Sequence, residues 1–209
     1  EQWHAPLRDC AREHGVHFLS TPFDEGRADL LEQLGVPAFK IASGDMTHLP
    51  LLRHCARFGR PIVLSTGMAS VVEIGEALRT CREAGNDQLV VLKCTSTYPA
   101  TPENTNIITI PNMRETFDCL IGLSDHTMGT GVSVAATALG AGLIEKHFTL
   151  ARADGGVDSA FSMEPAEMRA LREETERAWQ SLGQVTYGGT KAEDNSRQFR
   201  RSLYVAEDM

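Results

Sequence analysis

The chain has 209 residues, 42% of them hydrophobic, enough for one large domain with a full core. Its 28 acidic against 20 basic residues give a formal net charge of −8, which argues against a nucleic-acid groove or an anionic membrane surface as general partner. No apolar run reaches the length of a membrane span, no signal peptide is evident, and the 5 cysteines form no CxxC pair; this reads as a reducing, cytoplasmic setting without disulfides or zinc.

Glu1 to His14 reads as the last part of a helix, with Leu7, Cys10 and Ala11 on one face and Gly15 as its stop. Val16-His17-Phe18-Leu19-Ser20 reads as a strand running into Thr21-Pro22-Phe23-Asp24. A helix over Arg27–Leu34 ends at Gly35, and the next strand, Ala38–Ala42, opens onto Ser43-Gly44-Asp45. A helix over Leu49–Phe58 is ended by Gly59; Pro61–Leu64 is a third strand, leading to Ser65-Thr66-Gly67-Met68. Ser70-Val71-Val72-Glu73 is a capping box, in which the Ser oxygen and the Glu carboxylate satisfy opposite backbone N–H groups. The helix it opens runs to Ala84. Leu89–Cys94 is a fourth strand, followed by Thr95-Ser96-Thr97-Tyr98-Pro99, a longer loop and a short helix near Met113–Phe117. Cys119–Leu123 is a fifth strand, then come an Ala-rich helix over Gly131–Leu139 and a sixth strand, Gly142–Lys146. Beyond a Gly/Asp-rich loop, Pro165–Leu182 is an amphipathic helix with a charged outer face. Tyr187–Ser196 reads as a polar linker and Arg200–Val205 as the start of another strand.

Strands that alternate with helices predict an α/β fold with a parallel sheet. Polar residues mark every strand end rather than one switch point: Thr21, Lys40 and Ser43, Ser65, Lys93 and Ser96, Ser124 and His126, then His147. A ring of contributors favours a (β/α)₈ TIM barrel over a doubly wound sheet. About six βα units are present, so about two are expected to be missing at the amino-terminal side. No Walker loop or GxGxxG is found, which leaves a nucleotide cradle unsupported.

Leu123-Ser124-Asp125-His126-Thr127 and Glu145-Lys146-His147-Phe148-Thr149 each place a histidine at the end of consecutive strands. One such His is ordinarily just a satisfied buried group; two at matching positions point to a shared site. Two imidazoles suit Mn²⁺, Fe²⁺, Co²⁺ or Zn²⁺, with a carboxylate or waters completing the shell. Asp125 points away from its neighbour and is at best an orienter of His126. Lys40 and the hydroxyls of Thr21, Ser43, Ser65 and Ser124 converge on the same mouth, a donor set fitting a phosphate plus a carboxylate. Each hydroxyl singly reads as a helix N-cap, whereas an inward Lys40 needs a partner.

Lys40-Ile41-Ala42-Ser43-Gly44, Ser65-Thr66-Gly67-Met68, Cys94-Thr95-Ser96-Thr97-Tyr98-Pro99, Gly122-Leu123-Ser124-Asp125-His126-Thr127 and Glu145-Lys146-His147-Phe148-Thr149 resemble, in order and spacing, the signature series of the sialic acid (nonulosonic acid) synthase family. The resemblance runs from Trp3 to the end of the chain. It implies a (β/α)₈ barrel that condenses phosphoenolpyruvate with an amino-sugar aldehyde, aided by a divalent metal, Mn²⁺ or Mg²⁺. It further implies a homodimer in the full-length protein and an antifreeze-like domain after the barrel. Residues 1–186 would then be the barrel domain and 187–209 a linker toward that domain.

By the same resemblance His126 and His147 are the metal ligands. Thr21, Lys40, Ser43, Ser65, Ser96 and Ser124 hold the phosphate and carboxylate of phosphoenolpyruvate. Tyr98 lines the sugar pocket and Asp158 takes sugar hydroxyls. Asp45 stands where the family commonly has Glu and would position the aldehyde or water; Ser96 replaces an Asn of some members. The catalytic set is thus Asp45, Lys40 and His126. The loop from Arg152 to Ser162 resembles the pseudaminic acid synthase branch, which implies a 2,4-diacetamido-2,4,6-trideoxy-altrose acceptor. The rival readings are an N-acetylneuraminate or legionaminate synthase, or a catalytically silent fragment of such an enzyme.

Overall fold

The computed structural model describes residues 2–201 and residue 207. Five strands, β1 (Phe39–Ile41), β2 (Ile62–Ser65), β3 (Leu89–Cys94), β4 (Leu120–Asp125) and β5 (Ile144–Lys146), form one parallel sheet in the order β1-β2-β3-β4-β5. That sequential order has no switch point, as in a TIM-type barrel and unlike a doubly wound sheet. Helices cross between the strands: α1 (His4–Glu13) and α2 (Glu25–Gln33) precede β1, and α3 (Leu49–Ala56) and α4 (Val71–Glu83) flank β2. After β3 come α5 (Pro102–Thr105) and α6 (Thr109–Phe117), after β4 α7 (Gly131–Ala138), and after β5 α8 (Pro165–Ser181) and α9 (Asp194–Arg197).

Local chemistry starts these helices: α4 and α8 begin where the sequence places them, and α2 begins at Glu25 rather than the expected Arg27. Asp24 Oδ1 accepts from Arg27 N at 2.8 Å and begins α2. The Ser70–Glu73 capping box opens α4, and a second box, Glu164 with Glu167, opens α8.

Register decides what faces where, since side chains alternate along a strand and paired residues of parallel strands share a face. Cys94 pairs Ser124, Ser124 pairs Glu145, Ser65 pairs Leu92, and Lys40 pairs Val63. These residues line the inner face. Phe39, Ile41, Ile62, Leu64, Val91, Ile121 and Leu123 point the other way, are almost fully buried, and form the core cluster with the helices. The main apolar core therefore lies between sheet and helices, and the inner face carries the polar residues.

The expected first strand is corrected. Among the described residues Val16–Ser20 joins no ladder, and the sheet has five strands, not six. Val16 N closes onto Ala11 O at 3.0 Å, and a cavity of about 490 Å³ separates residues 15–18 from Leu34–Pro37. Only Phe18 of the segment packs on the core, while Val16 and Leu19 are exposed. The partner it would need, β1, is only three residues long and offers few backbone groups. Residues 181–201 are exposed throughout, and Lys191–Arg197 is a 3₁₀ turn followed by α9 rather than plain linker. Arg200 and Arg201 are not in a strand; the remainder of the expected strand there, Ser202–Val205, lies outside the described residues.

Candidate active site at the carboxyl ends of the strands

The inner-face residues meet in a cavity of about 390 Å³ lined by Lys40, Ser43, Ser65, Cys94, Ser96, Tyr98, Ser124, His126, Glu145 and His147. Lys40 Nζ donates to Ser65 Oγ at 2.9 Å and lies 3.4 Å from Glu145 Oε2, while Ser124 Oγ donates to Glu145 Oε1 at 2.7 Å. A polar chain thus runs Ser65–Lys40–Glu145–Ser124 across the mouth. Ser43 Oγ accepts from Gly67 N at 2.9 Å, and this fit depends on the glycine. A Cβ on Gly67 would lie 2.0 Å from Ser96 Oγ and 2.9 Å from Ser43 Oγ.

His126 follows β4, and its Nδ1 lies 3.0 Å from Thr95 O. A carbonyl only accepts, so Nδ1 carries the proton and Nε2 keeps its lone pair. The His147 ring centroid is 5.1 Å from that of His126, and His147 Nδ1 lies 3.4 Å from Asp158 Oδ2. Tyr98 packs 4.4 Å from His126 and 5.8 Å from His147, and the peptide bond that follows it, Tyr98–Pro99, is cis. Phe161, 5.1 Å from His147, closes the side with an apolar wall.

The pKa values follow these contacts. Burial opposes ionisation of the Cys94 thiol, yet hydrogen bonds with His126, Ser43 and Ser96 outweigh it and bring the thiol down to about 7. Burial likewise works against protonation of His126, but its bond with Cys94 prevails and raises its pKa. His147 is lowered by burial and by the neighbouring His126. Burial, with Cys94 and Asp158 nearby, raises Tyr98. The two imidazoles are therefore pulled in opposite directions.

Of the residues expected from sequence, Lys40, Ser43, Ser65, Ser96, Tyr98, Ser124, His126 and His147 line this cavity. Asp158 reaches it through His147. Thr21 lines an adjoining cavity of about 540 Å³ that shares Lys40 and Glu145 with the first. Asp45 ends the 3₁₀ turn Ser43–Asp45 and is among the lining residues of neither cavity. Asp125 does not orient His126: its carboxylate accepts from Thr127 N, Thr127 Oγ1 and Ser133 Oγ and pairs with Lys146, all on the outer face. Sequence reasoning missed Glu145 and Cys94. Both were open to a parity argument, since Glu145 stands two residues before His147 and Cys94 two before Ser96, each on the face of its successor.

Among the described residues no three His, Cys, Asp or Glu side chains form a metal cage. The donor set is two imidazoles, one with its Nδ1 held by Thr95 O, beside a cavity with room for further oxygen ligands. That set fits a divalent cation whose shell is completed by water and substrate oxygens.

The family model for the NeuB family matches residues 1–187. The chain is 37% identical over 209 residues to the pseudaminic acid synthase of Helicobacter pylori, covering 100% of the chain and 62% of that protein. It is 40% identical over 209 residues to the N,N'-diacetyllegionaminic acid synthase of Campylobacter jejuni, covering 99% and 63%. Among solved structures, the N-acetylneuraminic acid synthetase of Leptospira borgpetersenii, crystallised with citrate, superposes with a TM-score of 0.87 at 33% identity, covering 95% of the chain and 70% of that one. The chain spans about half to three-fifths of the length of the curated relatives it matches. The match of the family model over nearly the whole chain, the identities and the shared parallel α/β architecture establish one conclusion: this chain belongs to the NeuB family.

Proposed function

We propose that the chain is the catalytic core of a phosphoenolpyruvate-dependent nonulosonic acid synthase acting on 2,4-diacetamido-2,4,6-trideoxy-altrose to give pseudaminic acid and phosphate. The observation that carries the reading is the polar chain Ser65–Lys40–Glu145–Ser124 lying beside the His126–His147 pair. A cation with hydroxyl donors on one wall and two imidazoles on the other suits an enol phosphate facing an aldehyde.

In this reading Lys40, Ser43, Ser65, Ser96 and Ser124 bind the phosphate and carboxylate, with Thr21 contributing from the adjoining cavity. The Lys40 ammonium moves from Glu145 to the incoming anion and holds the enol phosphate in attack geometry. A divalent cation, Mn²⁺ or Mg²⁺, held by His126 and His147 supplies Lewis acidity toward the aldehyde oxygen. C3 of the enol forms the new C–C bond, water adds at C2, and C–O cleavage releases phosphate. Thr95 O fixes the His126 tautomer, keeping Nε2 toward the cavity. Asp158 takes sugar hydroxyls, Tyr98 lines the sugar, and Asp45 acts only if the 3₁₀ turn brings it closer.

The Phe161 wall beside His147 favours a 6-methyl over a 6-hydroxyl on the acceptor. The relatives divide among three sugars, so a second reading, a legionaminate or N-acetylneuraminate synthase, stays in the test. Residues 1–186 are the barrel part of this enzyme and 187–209 lead to an antifreeze-like domain; the full-length protein is a cytoplasmic homodimer. Among the described residues no helix is long and apolar enough to cross a membrane.

The test is phosphate release from phosphoenolpyruvate by the full-length protein with each acceptor in turn, with and without Mn²⁺. Release with the trideoxy-altrose alone, lost in His126→Ala, supports the proposal. Release only with another acceptor moves the assignment to that branch, and no release with any acceptor refutes it.

A further inference from the structure

A second crevice, about 430 Å³, opens on the outer face of the sheet between α4 and α6. It adjoins the mouth, with which it shares Met68 and Cys94, but nothing in the proposed reaction uses its outer wall. Lys93, near the end of β3, lines it from the outer side of the sheet, and Cys94 at the end of the same strand borders it as well. The Lys93 ammonium donates to Cys94 O and Thr95 Oγ1, each at 3.1 Å. Those are two of its three N–H groups. Among the described residues no carboxylate stands within ion-pair distance of it. Burial alone accounts for the lowering of its pKa, with only Cys94 acting against it.

A half-buried ammonium with one free donor and no carboxylate partner is an unfavourable arrangement unless something pairs with it. The rest of the crevice shows what would suit. Ile74, Met113 and Phe117 give it an apolar floor, and Met68, 81% exposed, stands at the rim. Thr109 and Asn112, one turn apart on α6, add neutral polar groups on one wall. One cation, two neutral donors and an apolar floor match a monoanion with a hydrophobic body. A phosphate dianion would call for further cations, and the crevice has none. The volume lies within the range of small-molecule pockets.

We propose that this crevice is a binding site for a small carboxylate carrying an apolar body, its carboxylate paired with Lys93 and its body laid over Ile74, Met113 and Phe117. Besides the shared Met68 and Cys94, Thr95 links the site to the mouth. Thr95 Oγ1 accepts from Lys93, and Thr95 O accepts from His126 Nδ1.

The experiment uses the full-length protein with ¹³C-methyl methionine and phenylacetate as probe. Saturable shifts are expected at the Met113 methyl, with Met46 and Met163 unmoved; Met68 borders the mouth as well and responds to a ligand in either cavity. Phenylacetamide, equal in shape but neutral, should bind at least tenfold more weakly. Lys93→Met should raise the phenylacetate Kd at least tenfold. Asn112→Trp, at an exposed position of α6, fills the crevice without replacing a buried side chain and should abolish the shifts. Lys40→Met, in the mouth, should leave them intact. Shifts absent in the wild type, shifts retained in both Lys93→Met and Asn112→Trp, or shifts lost in Lys40→Met would each overturn the proposal.

Discussion

Two lysines stand on the two edge strands of the sheet, Lys40 on β1 and Lys146 on β5, and each has a carboxylate partner. Lys146 and Asp125 are sealed on the outer face, with side chains 3% and 0% exposed and a separation of 3.1 Å. Asp125 accepts three further hydrogen bonds, from Thr127 N, Thr127 Oγ1 and Ser133 Oγ, and Lys146 also donates to Thr127 O. Lys40 and Glu145 face the mouth at 3.4 Å, and the Glu145 side chain is 38% exposed. The first pair has every partner fixed by the fold. The second can exchange partners, because water and an incoming anion both reach it. Similar charges thus serve rigidity on one face and availability on the other.

The largest effect should come from breaking the sealed pair. Asp125→Ala leaves a buried ammonium with one carbonyl and strands the donors of Thr127 and Ser133, and it should cost about 3–5 kcal/mol. Urea denaturation checks this through the midpoint at constant slope. A loss below about 1 kcal/mol would mean that water enters the outer face and that the two pairs do not differ.

Lys40→Met should do the reverse. Glu145 keeps its bond from Ser124 and its contact with water, so stability should change by no more than about 1 kcal/mol, as for partly exposed pairs. Turnover with phosphoenolpyruvate should fall at least about a hundredfold, the scale found when one preorganised charge-stabilising donor is removed. A variant that unfolds early while retaining most of its turnover would invert the assignment of the two lysines.

This contrast was half legible in the sequence. A charge at Lys40, amid apolar neighbours on a short strand, announces that it needs a partner, and the βα repeat shows the order of the strands. The partner itself was hidden. Glu145 lies over 100 residues away; parity with His147 puts it on the same face, but only the register of Ser124 with Glu145 brings it to the sheet beside Lys40. Periodicity told which residues of one strand share a face, but not which face is inner. That depends on where the helices bury the sheet. The same gap explains Val16–Ser20, whose apolar pattern fits a strand although pairing rests on a neighbour that periodicity within the segment does not report.

Gly67→Ala tests how tightly the mouth is built beside the more open Lys40 pair. The added methyl collides with Ser96 Oγ and presses on Ser43 Oγ, and neither hydroxyl can turn away without giving up its place in the cavity. Overpacking of this kind costs about 1–3 kcal/mol. Thermal unfolding measures the loss, and a rise in the KM for phosphoenolpyruvate should accompany it. Unchanged stability and KM would mean that the packing of Ser43 and Ser96 around Gly67 is slack.

The smallest effect lies on the surface and carries a pH sign. Glu73 accepts from the backbone N–H of Ser70 at 2.7 Å and from its hydroxyl at 2.7 Å, and these bonds hold its carboxyl below the ordinary value of 4.5. A carboxylate whose pKa is lower when folded stabilises the native state above its unfolded pKa. That contribution fades as the pH falls through the folded value, because protonation removes the acceptor. Glu73→Gln keeps the shape of the capping box but not the charge, and it removes this titration. Wild type should therefore be the more stable of the two at neutral pH. The difference should shrink below about pH 4.5 and vanish once Glu73 is protonated in both states. Parallel thermal melts of the two proteins across that range decide it. A gap that stays constant down to low pH would assign the cap to hydrogen bonding alone, independent of charge.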